Sequence, residues 1–178
     1  HMYAVASKQT KKVALGDYEY IPRIKWSNDS NILVATTLNR HQNNLKLHKV
    51  DASRNTSTLL LNETDKAYVD ITDNLTFLND NSFIWTSEKD GFNHIYHYDF
   101  SGKLINQITR GNWEVTNYYG YHKAKKTIYY QSVENGSTNR GVYSIDLDGN
   151  NKKILSNSKG TNTASFSKNL NYFINTYS

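Results

Sequence analysis

One short pattern recurs four times along the chain and constrains its fold more than any other feature. Each copy is an aromatic residue, a polar turn and an apolar strand, and the copies begin at Trp26, Phe77, Tyr121 and Phe166. These anchors lie 51, 44 and 45 residues apart. A period of about 40–50 residues is typical of β-propellers, in which each blade is a four-stranded antiparallel sheet. The repeat therefore predicts an all-β chain that forms a partial β-propeller.

The second half of each unit repeats as well. A strand ends in an aspartate at Asp51, Asp99 and Asp146, and turn-forming residues follow each of them. A pair such as Asp148-Gly149 between two alternating strands favours a tight hairpin. One unit thus predicts an inner strand, a second and a third strand, a hairpin and an outer strand, which together make one propeller blade.

These repeats predict about three full blades and two partial ones. His1-Met2 has the form of an expression scar, and a propeller fragment is expected to span 3–178. Its predicted parts are the end of a preceding blade at 3–15, blade A at 18–62, blade B at 67–109, blade C at 111–156 and a truncated blade D at 160–178. Lys8–Lys11 is the predicted turn of the first hairpin. A chain cut inside two blades has unpaired strand edges, so we expect a homo-oligomer formed through them.

Charge and composition exclude several classes of function. The net charge is +5, but the lysines are scattered through predicted turns and no basic run exceeds two residues. Solvated turn charges are the simpler interpretation, and we expect no nucleic-acid partner. The absence of cysteine excludes disulfides, thiol catalysis and cysteine-based zinc sites. No apolar run approaches the roughly 18 residues of a membrane span, so none is predicted.

Catalytic and metal-binding patterns are also missing from the sequence. Serine hydrolases place the nucleophile in a Gly-x-Ser-x-Gly turn, and Ser137 lacks the second glycine. His94 and His97 are three residues apart in a predicted strand, which puts their side chains on opposite faces, away from a shared metal. Glu63 and Asp65 fit solvated turn acids. We therefore predict no catalytic residue, no metal and no cofactor for this chain.

One loop is richer in polar side chains than a hairpin requires. It lies in the segment Leu38–Asn44, between the second and third strands of blade A. Arg40, His41 and Gln42 are candidates for residues that line a substrate passage. The alternative is that these side chains only hydrogen-bond the loop to its neighbours.

Several segments resemble, in the same order, the propeller of dipeptidyl peptidase IV-type serine peptidases of the prolyl oligopeptidase clan, especially the bacterial ones. Glu88–Tyr96 resembles that family's Glu-Asp-Gly-aromatic-x-His-Ile segment, and Ile108–Val115 resembles its Ile-Thr-Lys/Arg-Gly-x-Trp-Glu-Val segment. The other matching segments are Tyr20–Trp26, Leu38–Asn43 and Phe166–Lys168. They follow one another in the family's order across almost the whole chain.

The resemblance implies an eight-bladed propeller that caps a C-terminal α/β-hydrolase domain in a longer parent protein. The family removes dipeptides from peptide N-termini, with Pro or Ala as the second residue. Its catalytic triad and its paired amino-anchoring glutamates match nothing in this sequence, so the chain itself is expected to be non-catalytic. Its implied role is part of a chamber wall that admits slender peptide ends, in the periplasm or at the surface of a bacterium.

The sequence is also compatible with a different class of function. The chain could belong to a non-enzymatic propeller that serves as a periplasmic binding or scaffold module, because propellers perform both kinds of function. A Gly-x-Ser-x-Gly turn within about 100 residues after Ser178 would favour the peptidase.

Overall fold

The computed structural model describes residues 1–157 and 159–178, and every regular element in those ranges is a β-strand. The strands are β1 (Met2–Ala4), β2 (Gln9–Lys11), β3 (Tyr20–Trp26), β4 (Ile32–Leu38), β5 (Asn44–Asp51), β6 (Thr56–Thr64), β7 (Thr76–Phe77), β8 (Phe83–Ser87), β9 (His94–Tyr98), β10 (Leu104–Gln107), β11 (Val115–His122), β12 (Thr127–Ser132), β13 (Gly141–Asp146), β14 (Lys153–Ile154), β15 (Asn162–Phe166) and β16 (Phe173–Tyr177). The predicted all-β class is confirmed.

The strands form three four-stranded sheets and two sheets of two strands. In each larger sheet the strands pair antiparallel in chain order, as β3-β4-β5-β6, β7-β8-β9-β10 and β11-β12-β13-β14. The smaller sheets are β1-β2 and β15-β16. The aromatic anchors mark equivalent places, since Trp26, Phe77 and Phe166 each end the first strand of a sheet.

The chain divides into two compact units. The first comprises 1–73, 79–81 and 100–103, and the second comprises 74–78, 82–99 and 104–178. In the first unit, Leu33, Ala35 and Val50 form a buried apolar cluster, against which Met2 packs.

The core of the second unit consists of strands that are buried along their whole length. β8 and β9 are buried at all five positions, and the buried positions include the polar residues Thr86, Ser87, His94 and His97. Ile84, Ile95 and Ile128 are fully buried in the central cluster.

The predicted turn of the first hairpin at Lys8–Lys11 is wrong. Gln9–Lys11 is strand β2, and Ala4 pairs with Gln9. The turn therefore consists of residues 5–8, and its last residue, Lys8, has a φ of 54°. The left-handed position of the turn is occupied by a lysine, and not by the glycine or asparagine that usually indicates such a position, so the sequence did not show where the turn lies.

Candidate functional site

The candidate site lies at one end of the sheets, here called the loop end. In an antiparallel four-stranded sheet, the loop between the second and third strands lies at the same end as the segment that leaves the fourth strand. In the first large sheet this end carries the predicted site residues Arg40, His41 and Gln42, in the loop between β4 and β5.

Two asparagines build this loop. The Oδ1 atom of Asn39 accepts hydrogen bonds from the backbone N–H groups of Asn43 and Asn44, both at 3.1 Å. Asn39 Nδ2 also donates to Asn43 Oδ1 at 2.8 Å. Gln42 takes the left-handed corner with a φ of 56°. The turn is thus closed by side-chain amides, which suit such turns because they can replace backbone partners.

The three predicted site residues point away from these bonds. Arg40, His41 and Gln42 are all exposed. Their side chains make no hydrogen bond or ion pair to any other residue within 1–157 and 159–178. The structure brings the three together on one tight turn with their polar groups available to a ligand.

Backbone groups, rather than those side chains, tie the loop to its neighbours. The carbonyl oxygen of Gln42 accepts from the N–H of Val69 at 2.8 Å, and that of Asn43 accepts from Asp65 at 3.0 Å. Both donors lie in the connection that leaves β6. The loop therefore holds the first part of the connection in place.

In the second large sheet, the side chain of His94 bonds to the connection that leaves β10. Its ring is fully buried, and Nε2 lies 3.0 Å from the carbonyl oxygen of Gly111, so Nε2 carries the proton and donates. The hydroxyl of Thr109 lies 3.1 Å from Nδ1 and accepts from the N–H of Ile95 at 2.9 Å. Both ring nitrogen atoms of His94 are thus held by hydrogen bonds.

Trp113 completes this contact. Its ring meets His94 edge to face at a centroid distance of 4.9 Å, and Gly111 passes close to its Nε1. Asn93 accepts from the N–H of Val115 through its backbone oxygen at 2.8 Å and donates to the Val115 carbonyl through Nδ2 at 2.7 Å. The two segments that carry the family resemblance most clearly therefore lie against each other.

The third large sheet uses Arg140 and Asn162. The backbone N–H of Arg140 donates to Gly160 at 3.0 Å, and its carbonyl accepts from the N–H of Asn162 at 2.8 Å. The fully buried Asn162 side chain donates from Nδ2 to the carbonyls of Arg140 and Asn157, both at 3.1 Å. Its Oδ1 accepts from Asn175 at 3.1 Å.

One position recurs in all three large sheets. Asn43, Asn93 and Arg140 each stand directly before the third strand, and each bonds to the connection that leaves the fourth strand or to the residue with which the next sheet begins, Val115 or Asn162. We call this the loop–connection contact. Sequence reasoning missed it because its bonds are mainly backbone bonds. The sequence feature that could have identified these residues is their spacing, since Asn93 and Arg140 both lie six residues before the repeated aspartates Asp99 and Asp146.

The partly buried carboxylate of Glu134 stabilises the loop between β12 and β13. Glu134 forms an ion pair with Lys152 and accepts a hydrogen bond from the Ser132 hydroxyl at 3.1 Å. Burial, and secondarily the charge of Glu134, raises the pKa of Tyr143 to about 12. The Tyr143 oxygen accepts from Asn135 Nδ2 at 2.8 Å. These contacts hold the loop.

The remaining sequence candidates are separated from one another. His97 lies 2.8 Å from the Ser82 hydroxyl through Nε2, whereas His94 contacts the loop end. Ser137 is exposed in the loop that follows β12. Among the residues that the structure describes, no three His, Asp or Glu side chains are grouped closely enough to hold a metal ion. Nor does this part of the chain contain a helix able to cross a membrane.

Comparison with known proteins gives a consistent result. A family model described as "Dipeptidyl peptidase IV (DPP IV) N-terminal region" matches residues 1–178. A probable dipeptidyl peptidase 4 of Aspergillus flavus is 28% identical over 189 residues, covering 97% of this chain and 24% of that protein.

Two solved structures share the fold. The crystal structure of Porphyromonas gingivalis dipeptidyl peptidase 4 matches 99% of this chain and 25% of its own, with a TM-score of 0.89 and 44% identity. A putative dipeptidyl aminopeptidase IV from Bacteroides ovatus matches 99% of this chain and 28% of its own, with a TM-score of 0.77 and 24% identity. The chain spans about a quarter of the length of these relatives. The predicted partial-propeller class is confirmed by the first likeness.

Proposed function

Because the chain belongs to the family of dipeptidyl peptidase IV N-terminal regions, we propose that it serves as the propeller segment of a serine-type exopeptidase. The parent enzyme removes N-terminal dipeptides with Pro or Ala as the second residue. The segment itself is non-catalytic and works together with a C-terminal α/β-hydrolase domain. The match of the family model to residues 1–178 carries this proposal.

The segment forms part of the wall that controls access to the hydrolase site. A wall of this kind must keep its shape to exclude folded proteins and to position slender peptide ends. The loop–connection contacts support this role, since in each large sheet they hold the loop and the connection by at least two hydrogen bonds. A fixed loop end restricts the passage without chemistry of its own.

An activity assay tests this function. We expect the full-length parent to hydrolyse Gly-Pro-p-nitroanilide, and this chain alone to release no p-nitroaniline at equal molar concentration. A parent variant in which the serine of its Gly-x-Ser-x-Gly turn is alanine is the control. A parent that folds but cleaves neither Gly-Pro nor Gly-Ala substrates would instead support a non-enzymatic binding or scaffold module.

Arg40, His41 and Gln42 are proposed to line the substrate passage. Their exposed, unbonded side chains on a rigid turn support this assignment. In the full-length parent we expect the R40A/H41A/Q42A variant to change KM for a ten-residue peptide by about 2- to 10-fold, because rim charges act mainly on encounter. KM for Gly-Pro-p-nitroanilide, which has no peptide chain beyond its leaving group, is the internal control. Equal KM values of the variant and the wild-type parent for the ten-residue peptide would contradict the assignment.

We place the parent in the periplasm or at the surface of a bacterium. Two bacterial proteins with this fold support the bacterial source. Osmotic-shock fractionation of the source organism, followed by immunoblotting for the propeller, tests the location. Recovery only with the cytoplasmic marker would contradict it.

A further inference from the structure

Two turns of the second unit bring together lysines that are far apart in the sequence. The turn between β11 and β12 contains Lys123, Lys125 and Lys126, and the turn between β15 and β16 contains Lys168. All four residues are exposed. Within the described ranges 1–157 and 159–178, none of their ammonium groups forms an ion pair. We call these four residues the lysine cluster.

Side-chain contacts hold the two turns against each other. Nε2 of His122 lies 3.0 Å from Oδ1 of Asn171, and Nδ1 of the same ring accepts from the backbone N–H of Lys125 at 3.2 Å. Leu170 lies beside Gly120, because a Cβ added there would come within 3.2 Å of the leucine side chain. The lysines of the two turns therefore form one surface.

The turn between β11 and β12 belongs to a sheet that has neighbours on both sides. On one side, Asn106 of β10 donates to the carbonyl oxygen of Leu147 at 3.2 Å. On the other side, Phe166 of β15 packs on Tyr129 at a centroid distance of 4.9 Å. The lysines of this turn are thus exposed although adjacent strands cover both flanks of their sheet.

The acidic residues nearby do not neutralise the lysine cluster. The hairpin between β13 and β14 contains the exposed Asp148 and the exposed Lys153, whose charges balance. Asp146 is partly buried and already accepts two hydrogen bonds. The corresponding turns of the other two large sheets, 27–31 and 78–82, contain no lysine and one aspartate each. The positive charge is therefore specific to these two turns and is not a property of the repeat.

The lysine cluster lies at the end of its sheet that is opposite to the loop end. In an antiparallel sheet, the turn from the first to the second strand and the loop from the second to the third strand are at opposite ends. In a closed propeller the first strands of the blades surround the central channel. A closed propeller therefore has the lysine cluster beside the opening of the channel that lies away from the loop end.

The length of β11 determines how much of a peptide the channel would hold. β11 has eight residues and extends about 26 Å, at about 3.3 Å per residue. An extended peptide covers the same distance with about eight residues. On the proposed function, the first two residues of a substrate occupy the hydrolase site beyond the loop end. Residues from about the tenth onward then reach the lysine cluster.

We propose that the lysine cluster attracts peptide substrates that have acidic residues from about the tenth position onward, an inference that rests on the proposed function. Ammonium groups of one sign at the opening of a channel raise the local concentration of anionic chains, and salt screens this effect. An extended peptide can reach both the channel opening and the hydrolase site, which a lipid surface cannot. Charge complementarity acts mainly on encounter, so the preference is expressed in kcat/KM.

Cleavage of two matched peptides by the full-length parent tests the proposal. Both begin with Gly-Pro and have about sixteen residues, and they differ only in having four glutamates or four glutamines from about the eleventh position. At about 20 mM NaCl we expect the glutamate peptide to have a kcat/KM about 3- to 10-fold higher, and at about 300 mM we expect the ratio to approach one. The variant K123E/K125E/K126E is expected to lose or reverse the preference.

The variant K8E/K11E/K12E is the matched control. It makes the same change of charge on three exposed lysines that lie in and directly after the β1–β2 hairpin, outside the lysine cluster. This control is expected to keep the wild-type ratio between the two peptides. Circular dichroism verifies that both variants keep the strand signal, and the salt dependence of the wild-type parent tests the proposal without any substitution.

Hydrolysis of Gly-Pro-p-nitroanilide by the wild-type parent separates this inference from the proposed function. No hydrolysis would contradict the proposed function and this inference with it. Hydrolysis with equal kcat/KM for the two peptides at low salt, or a preference that K123E/K125E/K126E retains, would overturn the role of the lysine cluster alone. Binding to phosphatidylglycerol vesicles that is lost in K123E/K125E/K126E, without a preference between the peptides, would assign the cluster to a lipid surface and overturn the proposal.

Discussion

The ring of His94 connects two motifs that lie far apart in the sequence. His94 has both nitrogen atoms engaged, Nε2 with the carbonyl oxygen of Gly111 and Nδ1 with the hydroxyl of Thr109. A phenylalanine could fill the same volume, but it would leave the buried Thr109 hydroxyl and Gly111 carbonyl without this partner. The residue is therefore required by hydrogen-bond geometry and by its edge-to-face packing on Trp113.

Substitution of Gly111 tests how tightly this contact is packed. Its φ is +143°, and an added Cβ would overlap Nε1 of Trp113. We expect Gly111→Ala to lower the free energy of unfolding by about 2–4 kcal/mol, through backbone strain and overpacking. Urea unfolding monitored by tryptophan fluorescence measures the change.

Gly91→Ala is the control for strain alone. Its φ is +99°, but the space around its Cβ position is open, so we expect a loss of only about 1–2 kcal/mol. Equal losses at Gly111 and Gly91 would show that the Trp113 contact contributes nothing.

His48 predicts a dependence of stability on pH. It lies 3.0 Å from the Thr37 hydroxyl in the buried part of β5. Burial, and secondarily the charge of Lys46, lowers the pKa of His48 below its ordinary 6.5. The unfolded state then takes up a proton more readily than the folded state, so stability falls as the pH drops below about 6.5.

Urea titrations at pH 7.5 and 5.5 measure this effect. The wild type is expected to lose more stability between these values than His48→Gln, by at most about 1.4 kcal/mol per pH unit for one proton. Parallel losses in the two proteins would exclude His48 as the cause.

At the scale of elements, the sequence predicted the strands well because their signal repeats. The repeated aspartates Asp51 and Asp146 each end a third strand, and the residues after them form the hairpins. The loop–connection contact could not be predicted, because it joins residues such as Asn93 and Val115 that are far apart in sequence. Arg40, His41 and Gln42 were identified as one polar cluster, although nothing in the sequence shows that Asn39 and Asn43 close their turn.

Asn162 tests the contact in the third large sheet. Asn162→Ala removes the donor to Arg140 and Asn157 and is expected to lower the free energy of unfolding by about 1–3 kcal/mol. Asn162→Asp keeps the shape but turns a carboxylate toward two carbonyl oxygens, so we expect a larger loss. The two variants serve as each other's control in urea unfolding. An aspartate variant as stable as wild type would show that the amide donor is dispensable.

At the scale of the whole molecule, each compact unit has its own apolar core. Leu47 in the first unit and Ile128 in the second are both fully buried. Arrays of repeated units with separate cores depart from a single cooperative transition. We therefore expect thermal unfolding by calorimetry to show two transitions.

Core substitutions assign these transitions. Leu47→Ala and Ile128→Ala each remove a similar apolar volume and are expected to destabilise their own unit by about 2–5 kcal/mol. Each variant is expected to lower the midpoint of a different transition. A single transition that shifts equally in both variants would show that the two units unfold together.

The loop–connection contact also bears on how such a protein can evolve. Because the contact joins each sheet to its outgoing connection or to the first residue of the next sheet mainly through backbone groups, a duplicated gene segment that encodes one sheet would bring the loop side of the contact with it and would require few specific side chains from the sheet that follows. Recombination within the connections could then add or delete a sheet without requiring compensating mutations elsewhere. Sequence drift between the copies would be limited mainly at the anchors, at the terminal aspartates and at positions such as Asn93. Genetic recombination can thus change the number of sheets in a propeller by one sheet at a time.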